Sequence, residues 1–190
     1  MPHLTYDPLV TASQLVTALQ QIHSRQMNPL DNTVISITQF HAGDAYNVIP
    51  DEAVIRGSVR TLSKEVREQV IAAINQISEG ICTSGNCTYE FNWREGYPST
   101  VNDKDAAEVC AAAAAATVGS ANVLRDYPQS MASEDFSFML EECAGCYVWL
   151  GNGPGEGGCM LHNPHYDFND DIIHTGVSYW VNLIREELGI

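Results

Sequence analysis

The order of helical and strand periodicities in the first 97 residues constrains the fold most strongly. An apolar stripe of helical spacing follows Asp7-Pro8, which combines a favoured N-cap residue with a proline at the first helical position. This order predicts a small α+β unit of ferredoxin-like type, with two helices on one face of an antiparallel sheet that lacks its first strand. The remaining elements of that unit are strands over residues 33–40, 53–61 and 87–95, and a helix from Ser63 to Gly80.

Residues 98–190 predict a second unit, in which helices alternate with strands. The alanine run at 111–116 favours a helix rather than a linker. The alternation is typical of an α/β segment, but two strands are too few for an independent doubly wound sheet, so we expect an incomplete one. The predicted elements are strands over residues 122–125 and 146–150, and helices capped by Asn102, Ser133 and Asp170.

The charge balance excludes whole classes of partner. The formal net charge is −15 at pH 7, and the part before residue 98 carries −4 while the part after it carries −11. Nucleic acid and anionic membrane surfaces both require a cationic protein surface, so neither is an expected partner. No apolar stretch is long enough for a transmembrane helix, and the N-terminus shows no leader pattern. The expected compartment is therefore the cytoplasm.

The six cysteines leave several interpretations open. Cys82 and Cys87 could meet across a short turn, and their spacing does not decide whether they bond. The same two residues could form a structural zinc knot with Cys143 and Cys146, although the glycine-rich context of such sites is missing. Free thiols are the simplest interpretation.

The densest group of polar side chains lies in a loop over residues 161–171, between a glycine-rich turn and the predicted last helix. Neutral imidazole is the commonest ligand of transition metals, and carboxylates suit harder divalent ions. His162 and His165 are therefore candidate metal ligands, whereas Asp170 is explained by helix capping.

Three sequence motifs, which follow one another in a fixed order, help to interpret this loop. They are Asn47-Val48-Ile49-Pro50-Asp51, followed by a strand that ends at Arg60, then Met131–Ser137, and finally His162 in the sequence HNPHYDFND. Together with the predicted elements, they resemble the metallo-amidohydrolase and carboxypeptidase family that includes hippurate hydrolase, N-acyl-amino-acid amidohydrolases and auxin-conjugate hydrolases. The resemblance runs from Met1 to Leu188.

The resemblance implies that residues 1–97 are a lid or dimerisation domain and residues 98–190 the C-terminal segment of a metal-dependent catalytic domain. It implies a homodimeric enzyme that cleaves the amide bond of small N-acyl amino acids, such as hippurate. A water activated by zinc or manganese and assisted by a glutamate base would attack the carbonyl carbon.

The resemblance also implies roles for individual residues. His162 would be a metal ligand, and Asn47 and Arg60 would hold the free carboxylate of the substrate, which suits amide and guanidinium donors. The Gly151–Gly155 loop, with Gly151 and Gly153, would line the substrate cleft. Each of these three polar residues also has a simpler interpretation: His162 as a surface histidine, Asn47 as a turn-forming residue and Arg60 as a solvated side chain on a strand. Three further residues would lie near the site: Glu134, Asp135 and His165. Alternatively, Glu134 and Asp135 only stabilise the N-terminus of a helix, and His165 is a surface residue.

Family members carry an N-terminal segment that supplies most metal ligands and the catalytic base, and none of its motifs occurs in this sequence. We therefore expect this chain alone to contain no catalytic residue, to retain no metal tightly and to be inactive. The competing hypothesis is a non-catalytic dimerisation or carboxylate-binding module derived from the same family.

Overall fold

The computed structural model describes residues 1–153 and 159–190, which divide into two compact units, residues 1–99 and 100–190. The mixed α+β class predicted from the sequence is confirmed. None of the helices in the described part of the chain is long and apolar enough to cross a membrane. The main elements are α1 (Pro8–Gln21), β1 (Thr33–Ala42), β2 (Ala53–Thr61), α2 (Lys64–Ser84), α3 (Lys104–Val118), α4 (Phe136–Glu142) and α5 (Ile173–Leu188).

The first unit packs α1 and α2 against an antiparallel hairpin of β1 and β2. Both helices begin as predicted: the Asp7 carboxylate accepts hydrogen bonds from the backbone N–H groups of residues 9 and 10, and the Ser63 hydroxyl accepts one from the N–H of residue 66. Burial of apolar surface between the helices stabilises this unit. The central core residues are Leu19, Ile22, Val70, Ala73, Ile74 and Ile77.

The hairpin contains a β-bulge at Thr38. Ile37 pairs with Gly57 and Gln39 with Arg56, so Thr38 is the extra residue on β1. Gly57 lies where the backbone of β1 leaves no room for a side chain on β2. A Cβ atom there would lie 3.1 Å from the carbonyl carbon of Ser36 and even closer to its oxygen. The bulge and the glycine together allow this close approach.

Two sequence predictions in the first unit are wrong. Residues 87–95 form no strand, although Phe91 packs against the core on the predicted apolar side. The alternation identified the side chain that faces inward, but a strand also requires a neighbouring backbone with which to pair. The second helix does not end at Gly80, because α2 continues to Ser84.

The second unit packs α5 against α3, and a hydrogen bond from Asn182 Nδ2 to Thr117 Oγ1 (3.0 Å) joins the two helices. The predicted strands at residues 122–125 and 146–150 are absent from the described structure. Side chains in the latter segment are substantially exposed, including Trp149 at 60%. An apolar run alone therefore does not establish a buried strand.

The helix starts in this unit shift by one or two residues from their predicted positions. Asp103, not Asn102, caps α3, and Asp135, not Ser133, precedes α4. A short 3₁₀ turn at Asp170–Ile172 precedes α5, and the Asn169 side chain caps that turn. Neighbouring polar residues compete for the capping position, so sequence alone locates the cap only approximately.

Candidate functional site

His162 occupies a tight turn with unusual backbone geometry. The backbone N–H of Asn163 donates to the carbonyl of Met160 (3.2 Å), and His162 has a φ angle of 68°. Among the described non-glycine residues, only Asn86 and His162 have positive φ angles. Asn86 terminates α2, whereas His162 caps no helix. A side-chain-bearing residue in this conformation costs of order 1–3 kcal/mol, and such strain concentrates at functional sites.

The loop that follows His162 is ordered by Asn163. Its side-chain oxygen accepts from the backbone N–H of His165 (2.9 Å), and its carbonyl accepts from the N–H of Tyr166 (3.0 Å). Both His162 and His165 are exposed, so their rings are accessible to a ligand. The asparagine thus fixes the path of the backbone between the two histidines.

A pair of asparagines connects the glycine-rich loop to the segment just before α5. The Asn152 side chain donates to the carbonyl of Asp167 (3.1 Å) and accepts from the N–H of Asn169 (2.9 Å). The Asn169 side chain returns a hydrogen bond to the carbonyl of Asn152 (3.1 Å). This connection, which we call the Asn152–Asn169 clamp, holds Gly151 and Gly153 beside the end of the histidine loop. Gly155, also predicted to line the cleft, lies outside the described residues.

Glu134 is held by Tyr147 near the start of α4. The tyrosine hydroxyl donates to Glu134 Oε2 (2.8 Å), which lowers the pKa of the glutamate and raises that of the tyrosine. A hydrogen bond to the ionised carboxylate favours the charged form. Asp135 occupies the N-cap position of α4, with no hydrogen bond from its side chain to the helix end. The tyrosine therefore fixes the position of the Glu134 carboxylate and favours its ionised form.

Asn47 and Arg60 occupy opposite ends of the hairpin in the first unit. Asn47 is exposed in the loop between β1 and β2, which closes at the Ala42–Ala53 pair. Arg60 pairs with Val34 near the open end. Arg60 lies seven residue steps along β2 from Ala53, or roughly 23 Å in an extended strand. Within one copy of the chain, the hairpin does not gather the two donors around one point.

The metal implied by the resemblance does not fit the residues present here by themselves. Within residues 1–153 and 159–190, no group of three or more histidine, cysteine, aspartate or glutamate side chains is arranged to hold a metal ion. Of the cysteines considered for a zinc knot, Cys82 and Cys87 belong to the first unit and Cys143 and Cys146 to the second, and all four are free thiols. A stable site requires several ligands in suitable geometry.

Sequence reasoning missed the residues that shape the loops, namely Asn152, Asn163 and Tyr147. An asparagine between two glycines is a turn signal that could have indicated Asn152, because asparagine side chains readily bond to nearby backbone. The tyrosine carried no such signal, since its partner lies 13 residues away.

Comparison with known proteins places these features in a family. The family model of peptidase family M20/M25/M40 matches residues 9–186. Hippurate hydrolase of Campylobacter jejuni is 36% identical over 187 residues, which cover 98% of this chain and 48% of that protein. N-acetylcysteine deacetylase of Bacillus subtilis is 35% identical, with coverage of 96% and 47%.

A solved structure agrees with the sequence relatives. The Bacillus subtilis YxeP protein, described as a dinuclear metal-binding peptidase of the M20 family, superimposes with a TM-score of 0.76 at 32% identity. The match covers 96% of this chain and 46% of that one. The chain thus spans about half the length of the relatives it matches. Since the family model matches almost the whole chain, this protein belongs to peptidase family M20/M25/M40.

Proposed function

We propose that this chain supplies the lid and the C-terminal catalytic segment of a metal-dependent amidohydrolase. The proposed reaction is hydrolysis of the amide bond between an acyl group and an amino acid with a free carboxylate. The observation that carries the proposal is the family match over residues 9–186. Relatives named as a hippurate hydrolase and an N-acetylcysteine deacetylase support the class of small N-acyl amino acids as substrates.

In this proposal, His162 is a ligand of a divalent metal, zinc or manganese, in the complete enzyme. Its exposed ring and strained backbone support that role, because a strained conformation is retained where function requires it. The Asn152–Asn169 clamp positions Gly151 and Gly153 at the substrate cleft. Glu134, Asp135 and His165 are near-site residues in this proposal, and the hydrogen bond from Tyr147 holds the Glu134 carboxylate in place.

Asn47 and Arg60 are the proposed donors to the substrate carboxylate. Their placement at opposite ends of the hairpin favours a homodimer, in which Asn47 of one copy and Arg60 of the other serve one site. The amide N–H groups of asparagine and the guanidinium of arginine both suit a carboxylate, and the arginine can bind it bidentately. This arrangement would make the carboxylate a requirement for substrate recognition.

The carboxylate proposal is tested with two ligands that differ in one group. Binding of hippurate and of its amide analogue, hippuramide, is followed by NMR shift changes at Asn47 and Arg60. We expect hippurate to shift these resonances and hippuramide to have little effect. Arg60→Gln should abolish the difference, whereas Arg56→Gln, on the same strand and the same face, should preserve it. Equal binding of the two ligands would refute recognition of the carboxylate.

The proposal also holds that this chain alone retains no metal tightly and does not turn over substrate. The purified chain is incubated with zinc or manganese, freed of excess ion, and its metal content is measured beside its activity on hippurate. We expect less than one retained ion per chain and no metal-dependent turnover. Retention that is lost in His162→Ala but kept in His174→Ala would mean that this chain assembles its own metal centre.

A second candidate is a non-catalytic dimerisation or carboxylate-binding module. It is favoured by the lack of a metal-holding group among the described residues. It predicts a stable dimer that binds hippurate with unchanged affinity after treatment with a chelator. The hydrolase proposal instead predicts that binding in the complete enzyme strengthens when metal is restored.

A further inference from the structure

The C-terminal end of α2 carries two cysteines in a defined capping arrangement. The backbone N–H of Cys87 donates to the carbonyl of Cys82 (2.9 Å), and that of Asn86 donates to the carbonyl of Thr83 (3.1 Å). Asn86 has the left-handed conformation, with a φ angle of 52°. These two bonds and the left-handed residue define a Schellman motif, with Cys82 at position C3 and Cys87 at position C″.

Side chains at C3 and C″ of this motif commonly contact each other, because the outer hydrogen bond folds the chain back over the last helical turn. In most proteins the contact is hydrophobic, whereas here both positions carry a thiol. The two thiols also interact electrostatically: burial, and secondarily the proximity of Cys87, raise the pKa of Cys82. The backbone therefore holds two thiols together in a six-residue loop.

The surroundings of the pair hold the motif in place. Cys87 Sγ lies 3.5 Å from the hydroxyl oxygen of Thr11 on α1. Gly85 packs directly against the same threonine, so a Cβ atom at residue 85 would collide with that side chain. Cys82 is buried, at 6% exposure, whereas Cys87 is partly exposed. The turn is therefore packed against α1, and one of the two thiols is within reach of solvent.

We propose that Cys82 and Cys87 are a redox-sensitive pair that forms an intramolecular disulfide when the protein meets a low-molecular-weight disulfide. This inference does not depend on the proposed hydrolase function, because it rests on the capping geometry of the first unit alone. The closed loop would tie the last turn of α2 to the start of the segment that leads toward the second unit.

The exchange proceeds in two balanced steps. The Cys87 thiolate, which is the more accessible, attacks the external disulfide, forms a mixed disulfide and releases one small thiol. Cys82 then loses its proton and attacks the Cys87 sulfur, which closes the loop and releases the second small thiol. Overall, two protein thiols are oxidised and one external disulfide is reduced to two thiols.

The length of the loop determines how much more readily the disulfide should form in the native chain than in the unfolded chain. The chain-entropy relation for a six-residue loop indicates that pairing is roughly 40-fold more favourable in the native chain than in the unfolded chain. Oxidised and reduced glutathione are the probes. The purified chain is equilibrated with them natively and in urea, free thiols are alkylated, and the protein is digested with trypsin without reduction.

Cleavage after Arg67 and Arg94 releases a peptide, residues 68–94, that contains Cys82 and Cys87 and no other cysteine. Mass spectrometry should find this peptide with an internal disulfide. Because two glutathione thiols are released for each protein disulfide, the midpoint is expressed as [GSH]²/[GSSG], and it should be roughly 40-fold higher for the native chain than for the unfolded chain. In Cys87→Ser, Cys82 should remain a free, alkylatable thiol. Equal or easier pairing in urea, or linkage of Cys82 to another peptide, would overturn the proposal.

Discussion

Two glycine-to-alanine substitutions in the first unit should change stability in opposite directions. At Gly57, the new Cβ would approach the Ser36 carbonyl and lie 3.2 Å from the Cα atom of Ile37. These are backbone atoms, so the strands must separate, and overpacking of this kind costs about 1–3 kcal/mol. Alanine also reduces the conformational entropy of the unfolded chain, which offsets this cost by about 0.4–1 kcal/mol. We therefore expect Gly57→Ala to lower the free energy of unfolding by about 1–2 kcal/mol.

Gly80 is the matched control because it lies inside α2 and is exposed. Apart from the nearby backbone of the helix itself, nothing lies within 4 Å of the position that a Cβ atom would occupy there. Alanine has a helix propensity about 0.8–1 kcal/mol more favourable than glycine, so Gly80→Ala should raise the free energy of unfolding by about that amount. The two variants should thus differ by about 2–3 kcal/mol.

The assay is urea unfolding followed by the fluorescence of Trp93, which is partly buried in the first unit. Both variants are made in a background with Trp149→Phe and Trp180→Phe, which leaves Trp93 as the source of tryptophan fluorescence when the tryptophan is excited selectively. Midpoints are compared at a constant denaturant slope, so that a shift reports stability rather than a change in the unfolded state. An unchanged or higher midpoint for Gly57→Ala would refute the close-approach argument, and a lower midpoint for Gly80→Ala would refute the helix assignment.

Two further predictions follow from buried and hydrogen-bonded side chains. Ile22→Ala removes a side chain with 0% exposure and should lower the free energy of unfolding by about 2–5 kcal/mol, measured by the same fluorescence assay; a loss below about 1 kcal/mol would contradict its place in the core. Tyr147→Phe removes the hydrogen bond that lowers the pKa of Glu134, so carboxylate NMR titration should show that pKa rising towards its ordinary value. Because the folded pKa of Glu134 is lowered, its stabilising contribution is present above the ordinary pKa and is lost as pH falls through the folded value. The variant should therefore lose more stability at neutral pH than in acid, and an equal loss at both would show that the hydrogen bond is not the cause.

The helix starts and the paired strands of the first unit could be predicted from the sequence because their causes are local. Asp7 and Ser63 cap α1 and α2 through hydrogen bonds that span only two or three residues. The hairpin strands also follow from their β-branched composition. The predictions failed where a distant partner decides the outcome. Residues 87–95 alternate as a strand would, but no neighbouring backbone pairs with them.

In the candidate site, too, features set by local sequence could be predicted and features set by distant contacts could not. The sequence identified His162 as a candidate ligand from its residue type and context, but its positive φ angle depends on the turn closed between Met160 and Asn163, which residue type alone does not predict. Asn102 was expected to cap α3, whereas its side chain makes two hydrogen bonds to the backbone of Tyr147, 45 residues away. Long-range polar contacts of this kind leave little trace in a single sequence.

The bulge at Thr38 reverses the phase of alternation along β1. Before it, the odd-numbered Ile37 shares a face with Gly57, and after it the even-numbered Phe40 shares that face with Ile55. When homologous hairpins are aligned, a one-residue gap at Thr38 would therefore preserve the face of every other side chain and leave a regular ladder. A gap elsewhere in the strand would turn the side chains on one side of it to the opposite face. Thr38 is thus the position at which one residue can be removed from β1, in evolution or by design, while every other side chain stays on its face of the sheet.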